Sequence, residues 1–134
     1  MGLRPDLFLS YYLLDRRPGL LAPQLPAAWA ARGDEEAAVL FVQSQLQEGD
    51  LIVVASPDDA PVWYYSELHG IPDARFDIRN PAFERTLVLV DPVEGQTPAS
   101  VIAERGPDPT LLDVESCNLL GSFGKMQVFV CPRK

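Results

Sequence analysis

The chain has 134 residues, 47% of them apolar, which suits one globular domain with a buried core. It carries 19 acidic against 11 basic side chains, a formal charge of −8. This charge argues against nucleic acids and anionic lipid surfaces as partners, because both are bound through clustered Lys and Arg.

The sequence predicts neither a membrane span nor a targeting signal. No run approaches the roughly 18–20 continuous apolar residues that cross a bilayer. The most apolar short run, residues 7–14, is closed by charged residues. The start, MGLRPDLF, lacks the long apolar region and cleavage site of a signal peptide. Taken alone, the chain would stay in the cytosol, an expectation that does not extend to a longer parent protein.

Prolines and glycines divide the chain into elements. Three prolines between residues 15 and 33 predict that residues 1–33 form an irregular N-terminal arm or linker. Residues 34–134 then form a single α/β domain. Asp34 as N-cap and Gly49 as a stop predict a first helix between them.

Two apolar runs without polar alternation follow, at residues 51–55 and 86–90. Such runs are typical of strands that are buried on both faces of a parallel sheet. Each precedes a predicted helix that opens near a proline, Pro61 or Pro98, and closes at a glycine. A short strand is predicted between them at residues 75–78.

The last predicted element is an antiparallel hairpin of residues 119–123 and 126–131, turning at Gly124-Lys125. Strand–helix alternation predicts a three-layer, Rossmann-like α/β fold. Its sheet would be mainly parallel, with helices on both faces and the C-terminal antiparallel β-hairpin at an edge. The two buried runs would lie adjacent, or nearly so, at the centre of this sheet.

The two cysteines fall on the facing strands of this hairpin. A loop of residues 123–125 would pair Ser122 with Met126. Counting outward by five residues then brings Cys117 opposite Cys131. Cross-strand partners lie close enough for a disulfide, which an oxidising, extracytoplasmic location would favour. A one-residue change in the turn would separate them.

The sequence contains no phosphate loop, no GxGxxG, no GxSxG and no HExxH motif. Two cysteines and one histidine are too few for a structural zinc site. We therefore predict no catalytic residue, no metal and no cofactor for this chain. His69, at a predicted helix end, is either a general base or a cation at the negative end of the helix dipole, and the second interpretation is favoured.

Five side chains after the two buried strands are candidate ligand-binding residues: Asp58, Asp59, Tyr64, Asp91 and Gln96. Parallel strands deliver their following loops to one end of a sheet, so these residues would form a continuous strand-end rim suited to a hydroxyl-rich group. The alternative is that the carboxylates only cap helices and form turns. An exposed aromatic among residues 63–65 would suit stacking on a sugar ring, with core packing as the alternative.

Two segments and the final hairpin resemble a known family. Residues 48–72, EGDLIVVASPDDAPVWYYSELHGIP, hold Gly-Asp, a buried strand, a Pro-containing loop, Tyr-Tyr and Gly. Residues 85–106, RTLVLVDPVEGQTPASVIAERG, hold Gly-Gln-Thr before a short helix, and residues 119–133 contain Phe-Gly. The pattern resembles the soluble C-terminal region of bacterial polyprenyl-phosphate-dependent glycosyltransferases. These are multi-spanning C-type enzymes related to protein O-mannosyltransferases and lipid A aminoarabinose transferases.

The resemblance implies an accessory domain on the extracytoplasmic, periplasmic face that is not catalytic by itself. The family's catalytic acid lies in a loop between its first membrane helices, and no residue of this chain corresponds to it. The implied partners are the membrane-embedded part of the same parent chain, and a glycan or acceptor protein. Residues 3–33 match nothing in the family and would be a linker, with residues 7–14 near the bilayer. The alternative function is a free-standing cytosolic α/β protein that binds a small ligand.

Overall fold

The computed structural model describes residues 33–134. The predicted arm therefore lies outside the described residues except for Gly33, and so does the apolar run at residues 7–14. In this part of the chain, three helices and four strands are connected by loops and short 3-10 turns. In chain order they are α1 (Asp34–Gln45), β1 (Asp50–Val54), α2 (Asp59–Leu68), β2 (Arg85–Val90), α3 (Pro98–Arg105), β3 (Asn118–Phe123) and β4 (Met126–Pro132).

The four strands form one mixed sheet in the order β1-β2-β4-β3. β1 pairs with β2 in parallel, whereas β4 pairs antiparallel with both β2 and β3. The predicted three-layer, mainly parallel, Rossmann-like fold is therefore wrong. An apolar run shows that a strand is buried but not which way its neighbour runs, and the C-terminal hairpin supplies the second neighbour of β2. The sequence predicts that both buried runs lie at the centre of the sheet. β2 does lie inside the sheet, but β1 lies at its edge.

Both faces of β1 and β2 are buried, which explains why their sequences lack polar alternation. Along β1, Ile52 and Val54 belong to the cluster formed with α1 and α2, and Leu51 and Val53 belong to the cluster formed with α3. The helix residues in these clusters are Ala38, Val39, Val42 and Val62 on the first face and Val101 and Ile102 on the second. Each fully buried Val or Leu side chain contributes about 1.5–3 kcal/mol to folding.

Several element ends differ from the predicted ones. α1 begins at Asp34 itself, so this residue is helical and not the N-cap, and the helix ends before Gly49, at Gln45. α3 starts as predicted after Thr97, whose hydroxyl accepts from the N–H of the third helical residue in a capping box. The strand predicted at residues 75–78 is wrong, because Asp73–Phe76 form a 3-10 turn.

β3 and β4 form a hairpin that holds the two cysteines in register. The structure joins Cys117 to Cys131 by a disulfide, with their Cα atoms 4.2 Å apart. The turn has two residues and not three, so Met126 pairs with Phe123 and not with Ser122. A β-bulge in β3 then shifts the register by one residue, which restores the pairing of the cysteines.

Candidate functional site

The loops that follow β1 and β2 lie at the same end of the sheet, because these two strands run parallel. The Gln96 side chain connects the two loops by hydrogen bonds. Its side-chain oxygen accepts from the Asp91 backbone N–H (2.9 Å), and its amide donates to the Ser56 carbonyl (3.0 Å). Asp58 and Asp91 are both buried there, with 1% and 0% of their surface exposed. The structure thus brings three of the five rim residues together.

Two further residues join the buried acids, and we call the set Glu35, Asp58, Asp91 and Lys125 the acid–lysine cluster. Lys125 stands in the turn between β3 and β4, and its Nζ lies 2.9 Å from Glu35 Oε2. The same nitrogen lies 3.4 Å from Asp58 Oδ1 and 3.8 Å from Asp91 Oδ2. The backbone N–H of Lys125 donates to Asp34 Oδ2 over 3.0 Å, which holds the turn against α1.

Burial and neighbouring charges alter the protonation of this cluster. Loss of hydration raises the pKa of Asp58 to about 7; hydrogen bonds with Asp91 and Glu35 add to the rise, and Lys125 opposes it. Burial is the largest influence on Glu35 and disfavours its ionised form, but the hydrogen bonds to Glu35 and the charge of Lys125 together outweigh burial and hold the pKa of Glu35 below its ordinary value. The hydrogen bond to Glu35 raises the pKa of Lys125 in turn, so this lysine is charged.

Each of the two buried acids has one carboxylate oxygen without a hydrogen-bond partner. Asp58 Oδ2 and Asp91 Oδ2 accept no hydrogen bond from any donor in residues 33–134. We interpret these two unpaired oxygens and the raised pKa of Asp58 as one proton on Asp58 that is shared with Asp91. The cluster can therefore hold one proton near neutral pH. Because both carboxyls are almost fully buried, neither is exposed to a substrate in this structure.

The other two rim residues have different surroundings. Asp59 Oδ2 pairs with Arg105 Nη2 at 3.0 Å, a contact that links α2 to α3. Tyr64 is 59% exposed, and its ring lies against that of Tyr65, with the centroids 5.1 Å apart. The alternative prediction, that the rim carboxylates only cap helices and form turns, explains the position of some of these residues but not of all. Asp91 Oδ1 does accept from a backbone N–H two residues on, whereas the Asp58 side chain makes no capping hydrogen bond to α2.

His69 has a carboxylate partner. Its Nε2 lies 2.6 Å from Oε2 of Glu36, a buried residue of α1. The contact joins the C-terminal end of α2 to α1, and it supplies a structural reason for a histidine at this position. The general-base interpretation of His69 gains no support from it.

A second candidate site is an open depression of about 470 Å³ between α2 and the Asp73–Phe76 turn. It is lined by Trp63, Tyr64, Glu67, Asp73 and Phe76, and we call it the aromatic depression. The Trp63 side chain is 57% exposed, and its ring meets Phe76 edge-on with centroids 5.8 Å apart. Tyr64 of the predicted rim therefore lies in this depression.

Sequence reasoning missed Glu35 and Lys125, which come from opposite ends of the described chain. The signal for Lys125 was its rarity, because it is one of two lysines in the sequence and sits at a predicted turn. Asp73 and Phe76 were also missed, and Phe76 falls within residues 75–78, which were assigned to a strand. A proline directly before Asp73 favours a turn there and could have prevented this error.

Within residues 33–134, no group of three His, Cys, Asp or Glu side chains is arranged to hold a metal ion. The same range contains no helix that is both long enough and apolar enough to cross a membrane. Comparison of the chain with known protein families, with curated proteins and with solved structures finds no match.

Proposed function

We propose that this chain is an extracytoplasmic accessory domain of a polytopic membrane glycosyltransferase that uses a polyprenyl-phosphate-linked sugar, and that it is not catalytic by itself. The proposal that the domain is not catalytic by itself is supported by the burial of the two aspartates in the acid–lysine cluster. A general acid or base must come within hydrogen-bond reach of its substrate. Asp58 and Asp91 are almost fully buried, and Lys125 Nζ lies 3.4 Å and 3.8 Å from their carboxylate oxygens.

The assignment to a membrane glycosyltransferase is supported by the resemblance of residues 48–72 and 85–106 to the C-terminal region of that family. The Cys117–Cys131 disulfide supports an extracytoplasmic location, because such bonds persist in oxidising compartments. The main partner is then the membrane-embedded part of the same parent chain. The domain would cover or shape the catalytic cavity, or contact the acceptor.

Cell fractionation tests this proposal. An antibody raised against residues 33–134 is used to probe membrane and soluble fractions of the source cells. We expect a membrane-bound product far larger than 14.8 kDa, the mass of this chain. Protease added to intact spheroplasts should remove the epitope, since it faces the periplasm. A soluble, protease-protected product of 14.8 kDa would refute the proposal.

Such a result would favour the second candidate function, a free-standing cytosolic protein that binds a small ligand. The observation in its favour is the aromatic depression, whose volume of about 470 Å³ is typical of small-ligand sites. The location of the product separates the two candidates directly, because only the first requires a membrane-bound parent.

A further inference from the structure

We infer that the aromatic depression is a binding site for a neutral, hydroxyl-rich saccharide. Its lining combines exposed aromatic rings with two carboxylates on one side of α2 and the facing turn. The inference depends on the depression alone, and it holds for a domain of a larger enzyme and for a free-standing protein alike.

Two large aromatic side chains, Trp63 and Tyr64, stand on the exposed side of α2. Trp63 and Tyr64 keep more than half of their surface in solvent, while Val62 and Ser66 of the same helix are buried. Leaving two large rings in water sacrifices the free energy that their burial would provide. This arrangement is expected where the rings contact something other than the core.

The rings are also held in place. Trp63 meets Phe76 edge-on at 5.8 Å, and Tyr64 meets Tyr65 edge-on at 5.1 Å. Phe76 and Tyr65 pack in turn against the hydrophobic core. A fixed ring loses little conformational entropy when a ligand binds, which favours binding. The negative faces of such rings attract the polarised C–H groups of a pyranose.

The two carboxylates supply the polar half of the site. Glu67 follows Trp63 by four residues and Tyr64 by three, so Glu67 is a neighbour of each ring on the surface of α2. Asp73 approaches from the facing turn. Carboxylate oxygens accept hydrogen bonds from hydroxyl groups. They repel anionic ligands, as does the formal charge of −8 on the chain.

Other occupants fit less well. A stable protein–protein interface covers about 800 Å² on each partner, far more than five residues around a depression provide. A bacterial membrane surface is negatively charged, so Glu67 and Asp73 would oppose contact with it. A neutral saccharide matches the size of the depression, its exposed aromatic rings and its hydrogen-bond acceptors together.

NMR titration of the full 134-residue chain tests the inference. The indole N–H signal of Trp63, assigned by its loss in a Trp63→Phe variant, is followed during addition of maltohexaose, cellohexaose, mannohexaose or chitohexaose. We expect a saturable shift with at least one of these neutral probes. We expect at least tenfold weaker binding of hexagalacturonate, which has the same length but is anionic.

Two variants localise the binding. Trp63→Ala should weaken the affinity at least tenfold, as measured by calorimetry, and Glu67→Gln should weaken it severalfold without removing an aromatic ring. Leu119→Ala, a change at an exposed apolar residue on β3, should leave it unchanged. Absence of a saturable shift with all four neutral probes would overturn the inference. So would unchanged affinity in both variants, or a Trp63-dependent dimer in sedimentation, which would identify the surface as a protein interface.

Discussion

Replacing Asp58 by Asn should make this protein more stable at high pH and change it little at low pH. Asn has nearly the shape of a protonated Asp, carries no charge and can donate a hydrogen bond to Asp91. It therefore reproduces permanently the state in which one proton is held between the two buried carboxyls. Lys125 loses one carboxylate partner in this variant but keeps Glu35 and Asp91.

The size of the effect follows from the pKa of Asp58, which is raised from 3.8 to about 7. A carboxyl with a raised pKa binds its proton more tightly in the folded state than in the unfolded state. The contribution of this proton to the stability of the folded state is complete below pH 3.8 and is lost as the pH rises through 7. Each pH unit inside this window corresponds to about 1.4 kcal/mol. Between pH 5 and pH 7 the wild type should thus lose roughly 2 kcal/mol of unfolding free energy through this group.

Urea unfolding at pH 5, 6, 7 and 8, with the disulfide intact, measures this difference. We expect Asp58→Asn to match the wild type at pH 5 and to exceed it by about 1–3 kcal/mol at pH 8. Glu48→Gln removes an exposed carboxylate outside the cluster, and its curve should run parallel to that of the wild type. Parallel curves for wild type and Asp58→Asn would refute the shared-proton interpretation of the cluster.

Three further changes test the fold around the site. Reducing the Cys117–Cys131 bond, which spans 14 residues, should lower the urea midpoint by the equivalent of roughly 3 kcal/mol, and an unchanged midpoint would contradict its structural role. At Gly124, with φ +59°, an added Cβ would meet a carboxylate of α1, whereas the space at Gly95 is open. Gly124→Ala should therefore lower the unfolding free energy by at least about 1 kcal/mol more than Gly95→Ala. Equal losses of unfolding free energy would show that only backbone strain matters. Leu87→Ala, at a fully buried position in β2, should cost about 2–5 kcal/mol in the same assay, and a loss below about 1 kcal/mol would mean that the site collapses to fill the cavity.

Local features of the fold were predictable because they depend on a few neighbouring residues. Glycine and proline fixed the ends of α2 and α3, and Thr97 capped α3 as its sequence indicated. The positions of β1 and β2 followed from runs that are apolar at every residue. These signals are short-range, and tertiary packing did not override them.

The order and direction of the strands were not predictable in the same way. The sequence does contain a hint about position, since β4 carries Val128, Phe129 and Val130 whereas the exposed strand β3 contains Asn118 and Gly121. The more apolar strand of a hairpin is the one expected inside a sheet. That comparison favours β4 as the neighbour of β2, which is where the structure places it.

The wrong topology and the missed lysine have one physical cause. In the predicted topology the hairpin lies at an edge of the sheet, and nothing in that arrangement places the turn between β3 and β4 near the loops after β1 and β2. With β4 paired antiparallel to β2, its first residues lie beside the last residues of β2, and the turn before it reaches the strand ends. Lys125 is therefore brought to Asp58 and Asp91 by the antiparallel pairing itself. A sequence argument that recognised β4 as a central strand would have predicted both the mixed sheet and a cation beside the two buried acids.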